Sequence, residues 1–158
     1  MKEFELYSPM VSWLEQYMKD KYIGWSVVVV NSHSERLDRV LFRHGIVIDV
    51  AIGIDIQIDV LGIAKKLDKI RLVFVEAKCT RLTLRDLGQL WAYCKLIDPY
   101  EAFILTSQNI GSLDKILRNY GREDILDFGD GKKIKKMMVG EWSIEQAAPN
   151  LLTMVPKI

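Results

Sequence analysis

Cysteine and histidine are scarce in this chain, two of each in 158 residues. Cys79 and Cys94 stand in no metal-type spacing, and His33 and His44 are too isolated to pair as ligands, so the histidines read as structural or solvated. No charge of one sign prevails either. The 22 lysines and arginines oppose 21 acids, so any basic surface must come from local clustering. Uncharged apolar runs fall far short of the roughly 20 residues a membrane span needs. Signal-peptide pattern, internal repeat, low-complexity tract and linker are all missing. The expectation is one domain over residues 1–158, cytoplasmic, with reduced thiols and no membrane contact. No Ser-His-Asp or Cys-His arrangement is legible, and "GDGKK" lacks the spacing and hydroxyl of a P-loop.

What is present is a series of periodic segments. "YSPMVSWLEQYMKDKY" predicts a helix with Ser8 as N-cap and Pro9 at its first position. Its apolar arc runs through Met10, Val11, Trp13, Leu14, Tyr17 and Met18, with Glu15 at the edge. "WSVVVV" predicts a buried strand, and "SERLDRVLFRHG" fits a short helix or a strand. From Ile48 to Val60 every even position is apolar, a period of two that predicts a strand broken near Gly53. "RLVFVEAK" and "EAFILT" are strands. Between them "TLRDLGQLWAYCKLID" is a helix with a Thr83–Asp86 capping box, ended by Pro99. "SLDKILRNYG" predicts a helix closed by Gly121, then come a hairpin turning at Asp130-Gly131 and a helical turn over 143–148. The order predicts an α/β fold with a mixed sheet flanked by helices.

The charges in "QIDVLGIAKKLDKIRLVFVEAK" need an explanation, because charge is seldom tolerated inside a sheet unless it is paired. Folding this stretch as an antiparallel hairpin around Lys66 to Lys69 sets Leu61 against Phe74, Asp59 against Glu76 and Gln57 against Lys78. Two carboxylates so placed repel unless a cation lies between them or one takes a proton. Oxygen ligands without His or Cys favour Mg²⁺ or Mn²⁺, and an adjacent lysine can hold a water or stabilise phosphoryl charge. Metal-assisted phosphodiester hydrolysis is one reading; a structural ion pair of Glu76 with Lys78 or an arginine is the other.

Asp59, then Glu76-Ala77-Lys78 closing an apolar strand, then Gln89 and Tyr93 on the following helix, resemble the PD-(D/E)XK nuclease superfamily and its RecB-type branch with a Q-x-x-x-Y motif. The similarity of arrangement spans roughly residues 8 to 106. It implies a restriction-endonuclease-like fold and a Mg²⁺- or Mn²⁺-dependent nuclease, acting on DNA in preference to RNA. Asp59, Glu76 and the Ala77 carbonyl would hold the metal, Lys78 would position the attacking water, and Gln89 and Tyr93 would line the site or touch the backbone. Glu15 looks like the first-helix glutamate that some members add to the metal site. Asp55 shares the face of Asp59 but could reach it only if the strand bends. Lys65 and Lys66, beside Lys69 at the hairpin tip, and "GKKIKK" at a second turn would meet phosphates or merely serve solubility. Ile58 replaces the motif's proline, and two cysteines are too few for the iron–sulfur cluster of some relatives. A non-cleaving nucleic-acid-binding relative and a small-molecule phosphohydrolase stay open as alternatives, as do a homodimer and a partner protein.

Overall fold

The computed structural model describes residues 1–157. A 3-10 turn at Glu3–Leu6 runs directly into the first helix, α1 (Tyr7–Lys21). No side chain caps it: Leu6, itself in αR, precedes the helix, and Ser8 and Pro9 lie within its first turn rather than at the cap. Proline is tolerated there because first-turn amides have no intrahelical acceptor. Met10, Leu14 and Met18 form its fully buried stripe.

The chain continues through β1 (Ser26–Asn31), α2 (Leu37–Arg43), β2 (Val60–Lys66), β3 (Lys69–Lys78), α3 (Leu84–Ile97) and β4 (Glu101–Thr106). A single α-helical turn, α4 (Ser112–Asp114), passes into a π-helical one at Lys115–Asn119. The strands β5 (Asp127–Asp130), β6 (Lys133–Lys136), β7 (Met138–Ser143) and β8 (Ala148–Pro149) follow. Six strands form one sheet in the order β1-β2-β3-β4-β7-β8, and β5 and β6 make a separate hairpin. Pairing is antiparallel from β1 to β3, parallel from β3 through β4 to β7, and antiparallel again at β8. This is the α/β architecture expected, with helix α3 as the crossover that two parallel neighbours require.

Side chains alternate across the sheet, and each face has its own core. Phe74, Ile63, Ile104 and Val139 pack with Leu41, Leu87 and Leu90 from α2 and α3. Val60, Val73, Val75 and Phe103 pack under α1. Glu76 and Lys78 share the face of Phe74, so they look toward α3 and away from α1. The β2–β3 register is the expected one from Val60 to Lys66, with Leu61 opposite Phe74 and Lys66 opposite Lys69 around a Leu67-Asp68 turn. The expected pairs Asp59–Glu76 and Gln57–Lys78 lie beyond the end of the ladder.

Several expectations are corrected. Residues 48–59 are no strand: a 3-10 turn at Asp49–Ala51 leads into extended chain without a ladder. Burial alternates only over its last residues, with Ile56 and Ile58 buried and Asp55 and Gln57 exposed, while Val50, Ile52 and Ile54 face solvent. The backbone bonds go elsewhere, as when Leu37 N–H donates to Ile56 O at 2.7 Å. β1 is an edge strand with half-exposed valines, not a buried one, because no strand flanks its outer side. The ambiguous segment after it is helical. The β5–β6 turn is centred on Gly131-Lys132, one residue late, since Asp130 accepts the amides of Lys132 and Lys133, each at 3.0 Å. Residues 144–147 are the β7–β8 turn and not a helix. On α3, Leu84 and Trp91 fall outside the buried arc, and the Trp91 indole donates to Asp127 O at 3.0 Å. Among the described residues no helix is long and apolar enough to cross a membrane.

Helix α1 approaches the sheet closely at Gly62, where a Cβ would collide with Met18 Sδ and press on Leu14. Overpacking of such a contact costs roughly 1–3 kcal/mol, and Gly62→Val is expected to lower unfolding stability by that amount in a urea titration. An unchanged midpoint would mean that α1 can retreat freely.

Candidate active site

The β2–β3 ladder ends at Val60 opposite Val75. Its next rung would join Ala77 to Ile58. Instead the Ala77 amide donates to Asp59 Oδ2 at 2.8 Å, so a side-chain carboxylate occupies the place of a backbone carbonyl. The displaced chain is held by Ser32, a buried residue just past β1. Ser32 Oγ donates to Ile58 O, and Ser32 N–H donates to Asp59 O at 3.0 Å. A strand residue directs its N–H and C=O to the same side, so the Ala77 carbonyl also points toward Asp59.

At this bend the sheet opens into a polar cleft of about 290 Å³. Asp59, Glu76, Lys78, Gln89 and Tyr93 all line it; the hairpin spacing pointed to the first three and the resemblance implied the last two. Asp55 does too, because the chain bends where a straight strand would have carried it away. The capping box of α3 is present, with Thr83 N–H donating to Asp86 Oδ2 at 3.0 Å, and it fixes the helix beside the cleft. Lys78 Nζ lies 3.8 Å from Asp86 Oδ1, and Gln89 Nε2 donates to Tyr93 OH at 3.1 Å.

Three tentative assignments fail on position. Glu15 sits on α1, across the sheet from the cleft, and pairs with Lys19 at 2.7 Å. Lys65 and Lys66 lie at the hairpin tip, about 20 Å along the strand from Asp59, and Lys65 donates to His44 O. Neither lines the cleft.

Two lining residues went unanticipated. Glu3 enters from the 3-10 turn ahead of α1 and accepts from Tyr7 OH at 2.8 Å. His33 stacks on Tyr7 with ring centroids 4.6 Å apart. Its Nδ1 lies 3.0 Å from Asn31 Oδ1, which also accepts the His33 amide at 3.4 Å. An amide oxygen only accepts, so Nδ1 donates to it. Only the loop fold places a lone histidine there; nothing in its spacing signals it.

The electrostatics are severe. Burial pushes the Glu76 carboxyl well above the usual range, and the charge of Asp59 adds to the shift while Lys78 opposes it. Burial also raises Asp59, reinforced by Glu3 and moderated by the Ala77 amide and Lys78. Tyr7 is kept protonated by burial and by Glu3. Among the described residues Glu76 Oε1 is sealed from solvent and meets no hydrogen-bond donor. Glu101, the buried glutamate on the opposite face, shows what this fold does with a structural carboxylate. It accepts from Tyr17 OH at 2.6 Å, Lys21 Nζ at 2.8 Å and the Tyr22 hydroxyl.

An orphaned carboxylate oxygen beside a second carboxylate and a carbonyl fits a hard divalent cation. Among the described residues no three His, Cys, Asp or Glu side chains form a ready cage. Mg²⁺ would suit such a partial set, since it takes one or two carboxylates and keeps several waters. Comparison with known proteins adds no relative: no family model, curated protein or solved structure matches the chain.

Both carboxyls titrate higher in the folded chain than in the unfolded one, so the folded chain holds more protons in the window between. Stability without a divalent ion therefore falls as pH rises through that window. Glu76→Gln is expected to raise the thermal midpoint in EDTA at pH 8, with the gain vanishing near pH 4. Mg²⁺ is expected to raise the midpoint of the parent alone. A parent midpoint flat with pH and blind to Mg²⁺ would contradict this electrostatic account.

Proposed function

We propose that the chain is a Mg²⁺- or Mn²⁺-dependent nuclease of the restriction-endonuclease-like type, hydrolysing phosphodiester bonds in DNA in preference to RNA. The observation that carries this reading is the unsatisfied Glu76 oxygen beside Asp59, with Lys78 on the same face. The cleft's four carboxylates, from Glu3, Asp55, Asp59 and Glu76, outweigh its one lysine. A phosphodiester would be repelled from it unless a cation came first. The resemblance to the PD-(D/E)XK nucleases, noted from spacing, agrees with this chemistry.

Asp59, Glu76 and the Ala77 carbonyl would hold the ion. When bound, a divalent cation supplies Lewis-acid polarisation of the phosphate and makes water a stronger nucleophile. Lys78, half-buried and tethered only loosely to Asp86, can hold the attacking water by its lone pair and counter the charge that grows on the phosphoryl oxygens. Water oxygen adds to phosphorus and gives up one proton to solvent, the bond to the leaving sugar oxygen breaks, and that oxygen takes a proton from solvent. Gln89 and Tyr93, joined at 3.1 Å, offer donors to the non-bridging oxygens. A protein that only bound nucleic acid would gain nothing from a carboxylate oxygen sealed without a donor.

Linear, circular, flapped and four-way DNA and RNA, incubated with Mg²⁺ or Mn²⁺, should show divalent-dependent cleavage that EDTA abolishes. Asp59→Asn, Glu76→Gln and Lys78→Met should each slow it at least about a hundredfold while circular dichroism stays unchanged. Tyr93→Phe should chiefly raise KM. Cleavage by all three site variants at the parent's rate would remove the site from the reaction.

A further inference from the structure

This inference rests on the nuclease reading and specifies the form of substrate it takes. Three cavities make one track. The carboxylate cleft shares Asp55 and Gln57 with a polar cleft of about 230 Å³. That cleft shares Arg39 with an apolar pocket of about 410 Å³ between α2 and residues 46–52. Along the track the lining changes from acidic, through a step where Arg36 and Arg39 stand among Glu35 and Asp55, to apolar.

The middle step has one unpaired cation among the described residues. Arg36 and Arg43 are tied to Asp38 and Glu35, whereas exposed Arg39 has no carboxylate partner among the described residues. The apolar step has an open aromatic wall: Phe42 is 74% exposed, and Ile52 stands beside the same pocket. The two walls are joined in advance, because Asp38 on α2 accepts the Gly53 amide at 3.0 Å. Gly53, at φ 74°, allows the turn that brings this amide round.

A nucleic-acid strand has this order of chemistry: the phosphate being cut, the next phosphate, then a base. Stacking on an aromatic ring holds any base, since each has a π-face. A base within a duplex is already paired and stacked and would have to be extruded first. We propose that Arg39 binds the phosphate next to the one being cut and that an unpaired base of the same strand seats against Phe42 in the apolar pocket. Single-stranded ends, flaps and gaps are then the substrate.

The test is fluorescence anisotropy of the full chain, with Ca²⁺ replacing Mg²⁺ so that binding is read without turnover. The probes are a short fluorescein-labelled oligothymidylate and a blunt duplex of equal length. The parent is expected to prefer the single strand. Phe42→Ala and Arg39→Ala should each weaken it roughly tenfold, leaving the duplex unaffected, and Arg39→Ala should lower the salt slope by about one. Phe42 is exposed enough for its variant to fold, and Leu67→Ala at the distant hairpin tip, 96% exposed, should bind as the parent does. Unchanged affinity in both variants, or a parent that prefers the duplex, overturns the proposal. So does light scattering in which Phe42→Ala turns a dimer into a monomer, which would make the pocket a subunit interface. A parent that cuts while both variants bind normally sinks this subsite alone. Selective binding without cleavage sinks the nuclease reading and leaves the subsite standing.

Discussion

One exchange of hydrogen-bond acceptors governs the site. At the end of the β2–β3 ladder the Ala77 amide takes the carboxylate of Asp59 in place of the next backbone carbonyl. That substitution lets the chain leave the sheet without orphaning a strand amide, which would itself be costly. It also brings a carboxylate to the sheet end beside Glu76, and it turns the preceding residues so that Asp55 and Gln57 face the same cleft. The remaining groups are delivered by elements that pack on this edge: α3 brings Gln89 and Tyr93, the turn before α1 brings Glu3, and the loop after β1 brings His33.

Two glutamates of the sheet, Glu101 and Glu76, show how differently one fold can treat the same side chain. Glu101 is enclosed by two tyrosines and a lysine that satisfy it, and it acts as a polar plug under the aromatic cluster of Trp13, Tyr17 and Phe103. Glu76 has a neighbouring acid and an oxygen with no donor. Leaving one member of a buried charge arrangement unmatched commonly costs several kcal/mol. Such a cost is tolerated where chemistry needs the group, since strained and unsatisfied features cluster at functional sites.

The register, the capping box, the crossover helix and the shared face of Glu76 and Lys78 were all legible in the sequence. Each depends on local spacing within one strand, hairpin or helix. What escaped reading depends on tertiary partners. Alternation predicts a strand from Ile48 to Val60, but a 3-10 turn leaves Val50, Ile52 and Ile54 exposed, and where burial does alternate, at 55–58, the backbone has no ladder partner. Edge position exposed the β1 valines, and strand order is not written in a β-branched run. Glu15 has the right amphipathic placing on its helix but lies across the sheet, whereas Glu3, in the 3-10 turn that precedes the helix, reaches round the sheet end. His33 belongs to the cleft only because Tyr7 stacks on it and Asn31 holds its ring.

Ser32 contacts no part of the reacting constellation other than backbone, yet it secures the bend on which that constellation is mounted. A designer who grafted the two acids and the lysine onto another hairpin would reproduce the reactive groups and omit their bracket. The ladder would then run on to residue 58, and the first acid would swing away from its amide. In this architecture the edge strand is therefore part of the mounting of the cleft, and it is the less conspicuous half of what would have to be transplanted.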